Sequence, residues 1–290
     1  MNWFKFYLKK GVIYMCGNSL GLACKESEKS TLKALAVWKE EGIKLWNYEN
    51  SKYYLYSDYL AKMMAPLVNA EPDEIALVGS TTVNIHQVIS TFYKPTETKY
   101  KILVDDINFP TDRYAVERSP AALYINRKHF QMLPGLWGWY GNKTETQFLL
   151  NGWQMGSPSI MSLAGLEGSL RIFAEVGMQN IRKKSLHLTG YLMYLIETKL
   201  LEYGFQVGNL RDDKQRGGHV CLEHDEAYKI SIALKKRNVV PDFREPNVIR
   251  LSPVALYNTY EDVYRLVGIL LDIAKNRSYE EVPDDKPLVV

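Results

Sequence analysis

Strand and helix signals alternate through the first 130 residues, and this alternation limits the chain to a small set of folds. Short apolar runs typical of buried strands lie at 12–15, 74–78, 100–104 and 121–125. The segments between them carry apolar residues at helical spacing, with two predicted inward faces: Leu32, Leu35 and Trp38, and Ile85, Val88, Ile89 and Phe92. Alternation of this kind predicts an α/β fold in which helices cover a parallel sheet.

The pattern changes after residue 156 to longer helical segments separated by short strands. Helices are predicted near 160–173, 179–202, 228–237 and 260–275, and strands at 219–223 and near Val239 and Val248. We therefore predict a large domain over 1–156 and a smaller α+β domain over 157–290.

Composition and charge exclude several classes of partner. The 290 residues are 46% hydrophobic and 24% charged, and the net charge of +3 comes from 36 basic and 33 acidic residues without long single-sign runs. A nucleic-acid partner would call for a basic stripe, and a membrane span for about 20 consecutive apolar residues. Three cysteines without a C-x-x-C pair favour a reducing compartment. We expect a cytoplasmic protein with no nucleic-acid or membrane partner.

Small hydroxyl residues mark the passage from the predicted strand at 74–78 into the next helix. Gly79, Ser80, Thr81 and Thr82 stand at this point. Backbone N–H groups and the helix dipole there favour a phosphate group. A Ser or Thr N-cap, which most helices need, explains the same residues, so both interpretations stay open.

A second loop, Asn108-Phe109-Pro110-Thr111-Asp112, follows the predicted strand at 100–104. Ligands gather at this edge of open α/β sheets. Phe109 is suited to stack on an aromatic cofactor, and Asp112 to lie near a charged ring. A proline turn followed by an aspartate N-cap is the alternative.

Arg250 is a charged residue inside an apolar strand. A guanidinium in this position suits bidentate binding of a carboxylate, and a buried structural ion pair is the alternative. His219, Cys221 and His224 surround another apolar strand, but their spacing matches no zinc pattern, so no metal site is predicted.

One junction in the first domain is too short for its predicted topology. Residues 114–118 begin like a helix, but Ser119-Pro120 and the predicted strand at 121–125 follow almost at once. A parallel crossover needs about a dozen or more residues.

Taken in order, these segments resemble kynureninase, a pyridoxal phosphate-dependent family with the aspartate aminotransferase fold (fold type I). The resemblance rests on seven stretches that span most of the chain: C-G-N-S-L-G-L at 16–22, G-S-T-T-V-N-I-H at 79–86, N-F-P-T-D at 108–112, L-P-G at 133–135, G-W-Y-G at 138–141, G-S-P at 156–158 and R-E-P-N-V-I-R at 244–250. It implies a large cofactor-binding domain and a smaller C-terminal domain.

The resemblance also implies a reaction, a cofactor and site residues. The family hydrolyses L-kynurenine or its 3-hydroxy form to an anthranilate and L-alanine, a step of tryptophan catabolism that leads towards NAD. The implied cofactor-binding residues are Thr81, Thr82, Phe109, Pro110, Thr111, Asp112, Trp139 and Ser157, of which Trp139 and Ser157 would reach a phosphate in the neighbouring subunit of a homodimer. The implied substrate-binding residues are Arg250 for the α-carboxylate, with Asn18, Ser19 and Trp46 near the aromatic end.

The chain departs from the family at the short junction. Between Arg118 and Ser119 the family carries roughly a hundred further residues. They include the aspartate that pairs with the pyridinium nitrogen, a nearby histidine and the lysine that forms the Schiff base with the cofactor. Asn142 and Gln147 also stand where the family has histidine and arginine.

No catalytic residue is therefore assigned, and covalent attachment of the cofactor as in the family is not expected. We predict that this chain is inactive. Two alternatives stay open: an incomplete version of an active hydrolase, or a non-enzymatic relative that lends Trp139 and Ser157 to a complete subunit. The apparent deletion is also consistent with an incomplete gene model or splice product.

Overall fold

The computed structural model describes residues 6–103, 154, 156–157 and 159–283. The chain divides into two compact units, one formed by Met1–Lys25 with Val176–Val290 and the other by Glu26–Glu175. The first unit contains β1 (Ile13–Tyr14), α6 (Met178–Lys199), β2 (Gln206–Val207), β3 (Val220–Glu223), α7 (Ala227–Lys236), β4 (Val239–Val240), β5 (Asp242–Arg244), β6 (Val248–Leu251) and α8 (Tyr260–Asn276). The second contains α1 (Lys25–Glu41), α2 (Tyr48–Ser51), α3 (Tyr56–Val68), α4 (Thr81–Phe92) and α5 (Ile160–Val176).

The first unit is built on a four-stranded sheet with the order β2-β3-β6-β5, in which all neighbours are antiparallel. β1 and β4 form a separate parallel pair. Side chains alternate along β3 and β6 between buried and half-buried positions. The buried set packs with α6, α7 and α8 in one apolar core that includes Leu222, Ile249, Leu251, Leu192 and Leu266. The opposite face of the sheet carries mostly charged and polar residues, among them Asp242, Arg244 and Arg250.

Local signals define the helices of this unit. Gly177, with φ +79°, separates α5 from α6 in a conformation that favours glycine. Thr259 and Asp262 form a reciprocal capping box at the start of α8. Leu266 and Leu270 are fully buried on the inner face of α8. The helix is therefore positioned by both its cap and its apolar stripe.

The second unit is helical in its described part. Its apolar core joins Ala34 and Val37 of α1, Leu60 of α3, and Ala164 and Leu170 of α5. α1 and α5 are in close contact at Gly168. A Cβ atom at this position would lie only 2.2 Å from the Glu26 carbonyl, so the contact requires glycine.

A buried carboxylate links α3 and α5. Glu167 accepts hydrogen bonds from the Tyr56 hydroxyl at 2.5 Å and the Lys52 ammonium at 2.9 Å, and it also pairs with Arg171. Burial alone would raise the pKa of Glu167, but these hydrogen bonds and charges outweigh it and hold the pKa below its usual value. The carboxylate is therefore a charged structural element of the second unit.

The helices predicted from sequence are confirmed, but the inward face predicted for α1 is wrong. Leu32 and Trp38 are each 57% exposed, whereas Ser30, Ala34 and Val37 are buried. The α1 residues that lie in the core of this unit, Ala34 and Val37, are smaller than the predicted ones. On α4, Ile85 is buried as predicted, while Val88, Ile89 and Phe92 are only half-buried.

The strands predicted in the first domain have a different outcome. β1 forms, but the described residues at 74–78 and 100–103 contain no extended strand, and within them Ile75 alone takes part in a β-bridge. The Leu77 N–H donates to the hydroxyl of Ser57 at 2.9 Å, which is not the bond of a sheet ladder. The predicted strand at 121–125 and the junction at 118–119 lie outside the described residues.

The compact units do not coincide with the predicted continuous domains, 1–156 and 157–290. β1 joins the C-terminal unit because it pairs with β4, and α5 joins the other unit because it packs on α1. Within the described residues, no helix is both long enough and apolar enough to cross a bilayer.

Substitution of Leu251 tests whether its side chain is part of the apolar core of the first unit. Its side chain is fully buried on β6, so Leu251→Ala is expected to lower the free energy of unfolding by about 2–5 kcal/mol. Leu210, which is 61% exposed in the same unit, is the matched control, and Leu210→Ala is expected to change stability by less than about 0.5 kcal/mol. Urea unfolding measures both variants. Equal effects would contradict the core assignment.

Candidate functional site

The polar face of the four-stranded sheet carries a cluster of charges centred on Asp242. Asp242 of β5 lies directly opposite Arg250 of β6, so their side chains share one face. Arg250 donates from Nε to Asp242 Oδ2 at 2.8 Å and from Nη2 to the same oxygen. Asp242 is 8% exposed and the Arg250 side chain 26% exposed. The pair is therefore partly open to solvent on the arginine side.

Two further side chains converge on the same carboxylate. Arg244, two residues along β5, donates from Nη2 to Asp242 Oδ2 at 3.4 Å. Its Nε lies 3.3 Å from Oδ1, within ion-pair distance but not aligned for a hydrogen bond. Asn18 donates from Nδ2 to Oδ2 at 3.2 Å. One carboxylate thus faces two guanidinium groups and an amide.

Asn18 is held in place by the turn that follows β1. The N–H groups of Ser19 and Leu20 both donate to the carbonyl of Cys16. Gly17 is needed because a Cβ atom there would lie 2.3 Å from both the Tyr257 hydroxyl and Val254 Cγ2. Gly17 does not adopt a positive φ angle, so the close approach of Tyr257 and Val254 is the reason for glycine at this position.

Three titratable groups border the charge cluster. Burial, together with the charge of Asp242, raises the pKa of Cys16 above its usual value, although Arg250 and Arg244 act against this. Burial also raises the pKa of Cys221, which lies opposite Arg250 on β3. Burial and the Arg250 charge lower the pKa of His219. Both thiols are therefore protonated and His219 is neutral at pH 7.

A second candidate site lies at the N-terminus of α4. Ser80 is the N-cap, and its hydroxyl accepts from the N–H of Val83 at 3.4 Å. Thr81 is exposed and Thr82 half-buried in the first turn of the helix. Gly79 has φ +53°, and a Cβ atom there would lie 2.9 Å from Asn84 Oδ1. The N-cap interpretation is therefore correct for Ser80, and the first-turn N–H groups of the helix remain suited to an anion.

A cavity of about 530 Å³ adjoins this helix N-terminus. Its walls include Gly79, Asn84 and three serines, Ser157, Ser159 and Ser162. Asn84 Oδ1 is buried and has no hydrogen-bond partner among the described residues, while its Nδ2 donates to the Val78 carbonyl at 3.1 Å. The volume, hydroxyl groups and helix N-terminus fit a phosphate-bearing ligand.

Trp46 lies in the 3-10 segment Gly42–Asn47 of the second unit. It borders an apolar cavity of about 460 Å³ together with Trp38, Ile43 and Met161. The side chains of Trp38 and Ile43 are largely exposed. This environment suits an aromatic ring, and Ser159 lies in the wall of both this cavity and the one beside α4.

The structure brings several of the predicted residues together. Arg250 and Asn18 meet at Asp242, with Ser19 in the adjoining turn. Ser157 shares a cavity with Gly79, next to the turn that contains Thr81 and Thr82. Phe109, Pro110, Thr111, Asp112 and Trp139 lie outside the described residues.

Sequence reasoning missed Asp242 and the role of Arg244. A charged-apolar-charged triplet, Asp242-Phe243-Arg244, precedes the strand that carries Arg250. Treated as the first strand of a hairpin, the triplet would have placed Asp242 opposite Arg250. His224, considered as a metal ligand, instead accepts from the Glu226 N–H and packs against Phe205.

The chain matches one protein family in sequence. A family model described as the kynureninase C-terminal domain matches residues 181–270. The kynureninase of Geobacillus thermodenitrificans is 34% identical over 400 aligned positions, which cover 98% of this chain and 94% of the relative. The kynureninase of Shouchella clausii is 33% identical, with 98% and 93% covered.

Solved structures show the same fold at lower identity. An apo cysteine desulfurase from Thermococcus onnurineus superposes with a TM-score of 0.69 at 15% identity, covering 91% of this chain and 95% of its own. A C-DES variant with glycine covalently linked to its PLP cofactor gives a TM-score of 0.71 at 11% identity, with 91% and 97% covered. The predicted α/β fold of type I is therefore confirmed.

Substitution of Gly17 tests whether the turn that carries Asn18 packs closely against Val254 and Tyr257. Gly17→Ala is expected to destabilise the first unit by about 1–3 kcal/mol, because the new methyl group overlaps Val254 and Tyr257. Gly21→Ala is the matched control, since nothing lies within 4 Å of a Cβ atom at that position. Thermal unfolding compares the two. A larger loss for Gly21→Ala would contradict the proposed close approach.

The lowered pKa of His219 leads us to expect that the stability of the protein depends on pH. Because its folded-state pKa is lowered, the unfolded chain binds the proton more tightly, so stability falls as pH drops below about 6.5. The stability that His219 contributes is present above this pH and is lost on acidification. His219→Gln is therefore expected to lose less stability than the wild type between pH 8 and pH 5. Urea midpoints at both pH values measure the difference; equal losses would refute the assignment.

Proposed function

Because the chain belongs to the kynureninase family, we propose that its ligands are those of the family reaction. These are L-kynurenine or its 3-hydroxy form and pyridoxal 5'-phosphate. We propose further that the chain as it stands binds these ligands without completing the hydrolysis to an anthranilate and L-alanine.

The observation that carries this proposal is the arrangement of Arg250. Its Nε and Nη2 are held by Asp242, and Nη1 makes no hydrogen bond to any described residue. The end of the guanidinium formed by Nη1 and Nη2 can therefore receive a carboxylate in the bidentate geometry that arginine favours. Asn18 contacts the same Asp242 carboxylate, and Ser19 follows it in the turn after β1. Arg250 thus binds the α-carboxylate of the substrate.

The cavity beside α4 would hold the cofactor phosphate. The N–H groups at the start of α4 lie at the positive end of the helix dipole, and Ser157 adds a hydroxyl. Pyridoxal phosphate, when bound, supplies an electron sink for bond cleavage next to the substrate amine. Phe109 and Asp112 are proposed to contact its ring, and Trp139 its phosphate.

The length of the alignments supports the proposed inactivity. They run over 400 positions, whereas the chain has 290 residues, so at least 110 aligned positions of the relative have no counterpart here. Both ends of the chain are aligned, which places most of this difference inside the chain. The segment expected between Arg118 and Ser119 includes the lysine that binds the cofactor covalently. None of the described residues that line the α4 cavity is a lysine.

We also propose a cytoplasmic homodimer, as the family resemblance implies. In the alternative function, this chain lends Trp139 and Ser157 to a complete subunit. Ser157 shares a cavity with Gly79 of its own chain, which favours a phosphate site within the subunit.

The function is tested by combining cofactor and substrate measurements on the purified chain. With added pyridoxal phosphate and borohydride, no lysine is expected to become covalently labelled, and L-kynurenine is expected to yield no fluorescent anthranilate. The kynureninase of Geobacillus thermodenitrificans is the positive control for both assays. A specific pyridoxyl-lysine peptide together with anthranilate release would refute the proposed inactivity.

Binding is tested separately by calorimetry with L-kynurenine. Arg250→Gln is expected to weaken binding by about 1.5–3 kcal/mol, or about 10- to 150-fold, because a charge-assisted hydrogen-bond pair is lost. Arg237→Gln is the matched control, since Arg237 forms an exposed ion pair with Asp272 in the same unit. Equal affinity in the Arg250→Gln variant and the wild type would contradict the proposed site.

A further inference from the structure

Asp242 occupies one specific edge of the Arg250 guanidinium. The hydrogen bonds from Nε and Nη2 both run to Oδ2, so one carboxylate oxygen lies against the Nε–Nη2 edge of the guanidinium. The end-on edge, formed by Nη1 and the second hydrogen of Nη2, has no hydrogen-bond partner among the described residues. The plane and direction of the guanidinium are therefore fixed while one of its two binding edges remains open.

The carboxylate of Asp242 is itself held from several sides. Asn18 Nδ2 donates to it at 3.2 Å and Arg244 Nη2 at 3.4 Å. Register also limits its position, because Asp242 and Arg250 are directly opposed across β5 and β6. The side chain is almost fully buried. Asp242 is thus more rigidly placed than Arg250, whose side chain is partly exposed.

We infer that Asp242 is a positioning residue that presents the end-on edge of Arg250 to the α-carboxylate of the ligand. The inference rests on the proposed function, since it concerns how the substrate carboxylate is selected. Asp242 touches Arg250 rather than the ligand. It converts a flexible arginine into a rigid receptor, so less conformational entropy is lost when the carboxylate binds.

Two physical effects of Asp242 oppose each other. Its negative charge reduces the attraction of Arg250 and Arg244 for an anionic ligand, whereas its hydrogen bonds orient Arg250 for bidentate contact. If the charge effect dominated, Asp242 would act as a competitor and its removal would tighten binding. If the orienting effect of its hydrogen bonds dominates, removal of Asp242 weakens binding of the anionic ligand. The cluster retains a net positive charge from two guanidiniums and one carboxylate, so a ligand with a single carboxylate is matched in charge.

The test compares the affinities of L-kynurenine and L-kynurenine carboxamide, which lacks the anionic group. In Asp242→Asn, the affinity for L-kynurenine is expected to fall about tenfold, the scale of one charge-assisted hydrogen bond, while the affinity for the amide changes little. The preference for acid over amide therefore shrinks. A purely structural role would weaken both ligands by the same factor, and that result would overturn the inference.

The matched control is Asp272→Asn, which removes a carboxylate paired with Arg237 on the surface of the same unit. It is expected to leave the affinities for both ligands unchanged. Asn18→Ala is a second variant, which removes one hydrogen bond to Asp242 and leaves its carboxylate in place. It is expected to reduce the preference for the acid over the amide by a smaller factor than Asp242→Asn. Circular dichroism and thermal unfolding establish that each variant is folded. If Asp242→Asn does not fold, an unchanged preference in Asn18→Ala overturns the inference.

The outcomes separate this inference from the proposed function. If the wild type binds L-kynurenine and Asp242→Asn binds it equally or more tightly, the positioning role is wrong and the proposed function stands. If the wild type binds neither ligand, the proposed function fails and the inference fails with it.

Discussion

Arg250 lies on the polar face of the four-stranded sheet, where its charged guanidinium requires an ion-pair and hydrogen-bond partner. Asp242 supplies the opposite charge and accepts two hydrogen bonds from Arg250. The pair is possible only because β5 and β6 align these two residues directly opposite each other. Phe243 and Ile249, the sequence neighbours of Asp242 and Arg250, lie on the other face of the sheet. They belong to the apolar core that the sheet forms with α6, α7 and α8. Core packing and site geometry are therefore two consequences of the same strand alternation.

The N-terminal segment contributes to this site through a long-range contact. β1 pairs with β4 of the C-terminal unit, and the following turn brings Asn18 to Asp242. Gly17 permits the approach of Tyr257 and Val254 that holds the turn. A site formed from residues more than 200 positions apart thus lies within a single compact unit. The contacts among Asn18, Asp242 and Arg250 all lie within that unit.

Periodicity predicted the helices of the C-terminal unit because their apolar stripes are long and regular, as in α8. It failed for β5, since three residues carry no detectable period, and Asp242 acquires its role only through pairing with β6. It also failed for the inward face of α1, where Ala34 and Val37 lie in the core and Leu32 and Trp38 are exposed. Arg250 was identifiable from its position in an apolar strand; its partner depended on tertiary register.

We propose that this chain binds the family substrate through Arg250 and leaves it intact. A crystal structure of the chain grown with pyridoxal phosphate and L-kynurenine tests it most directly. We expect an intact L-kynurenine with its carboxylate against Nη1 and Nη2 of Arg250, and Asp242 still on the Nε side. Density for an anthranilate and alanine, or a carboxylate bound away from Arg250, would contradict it.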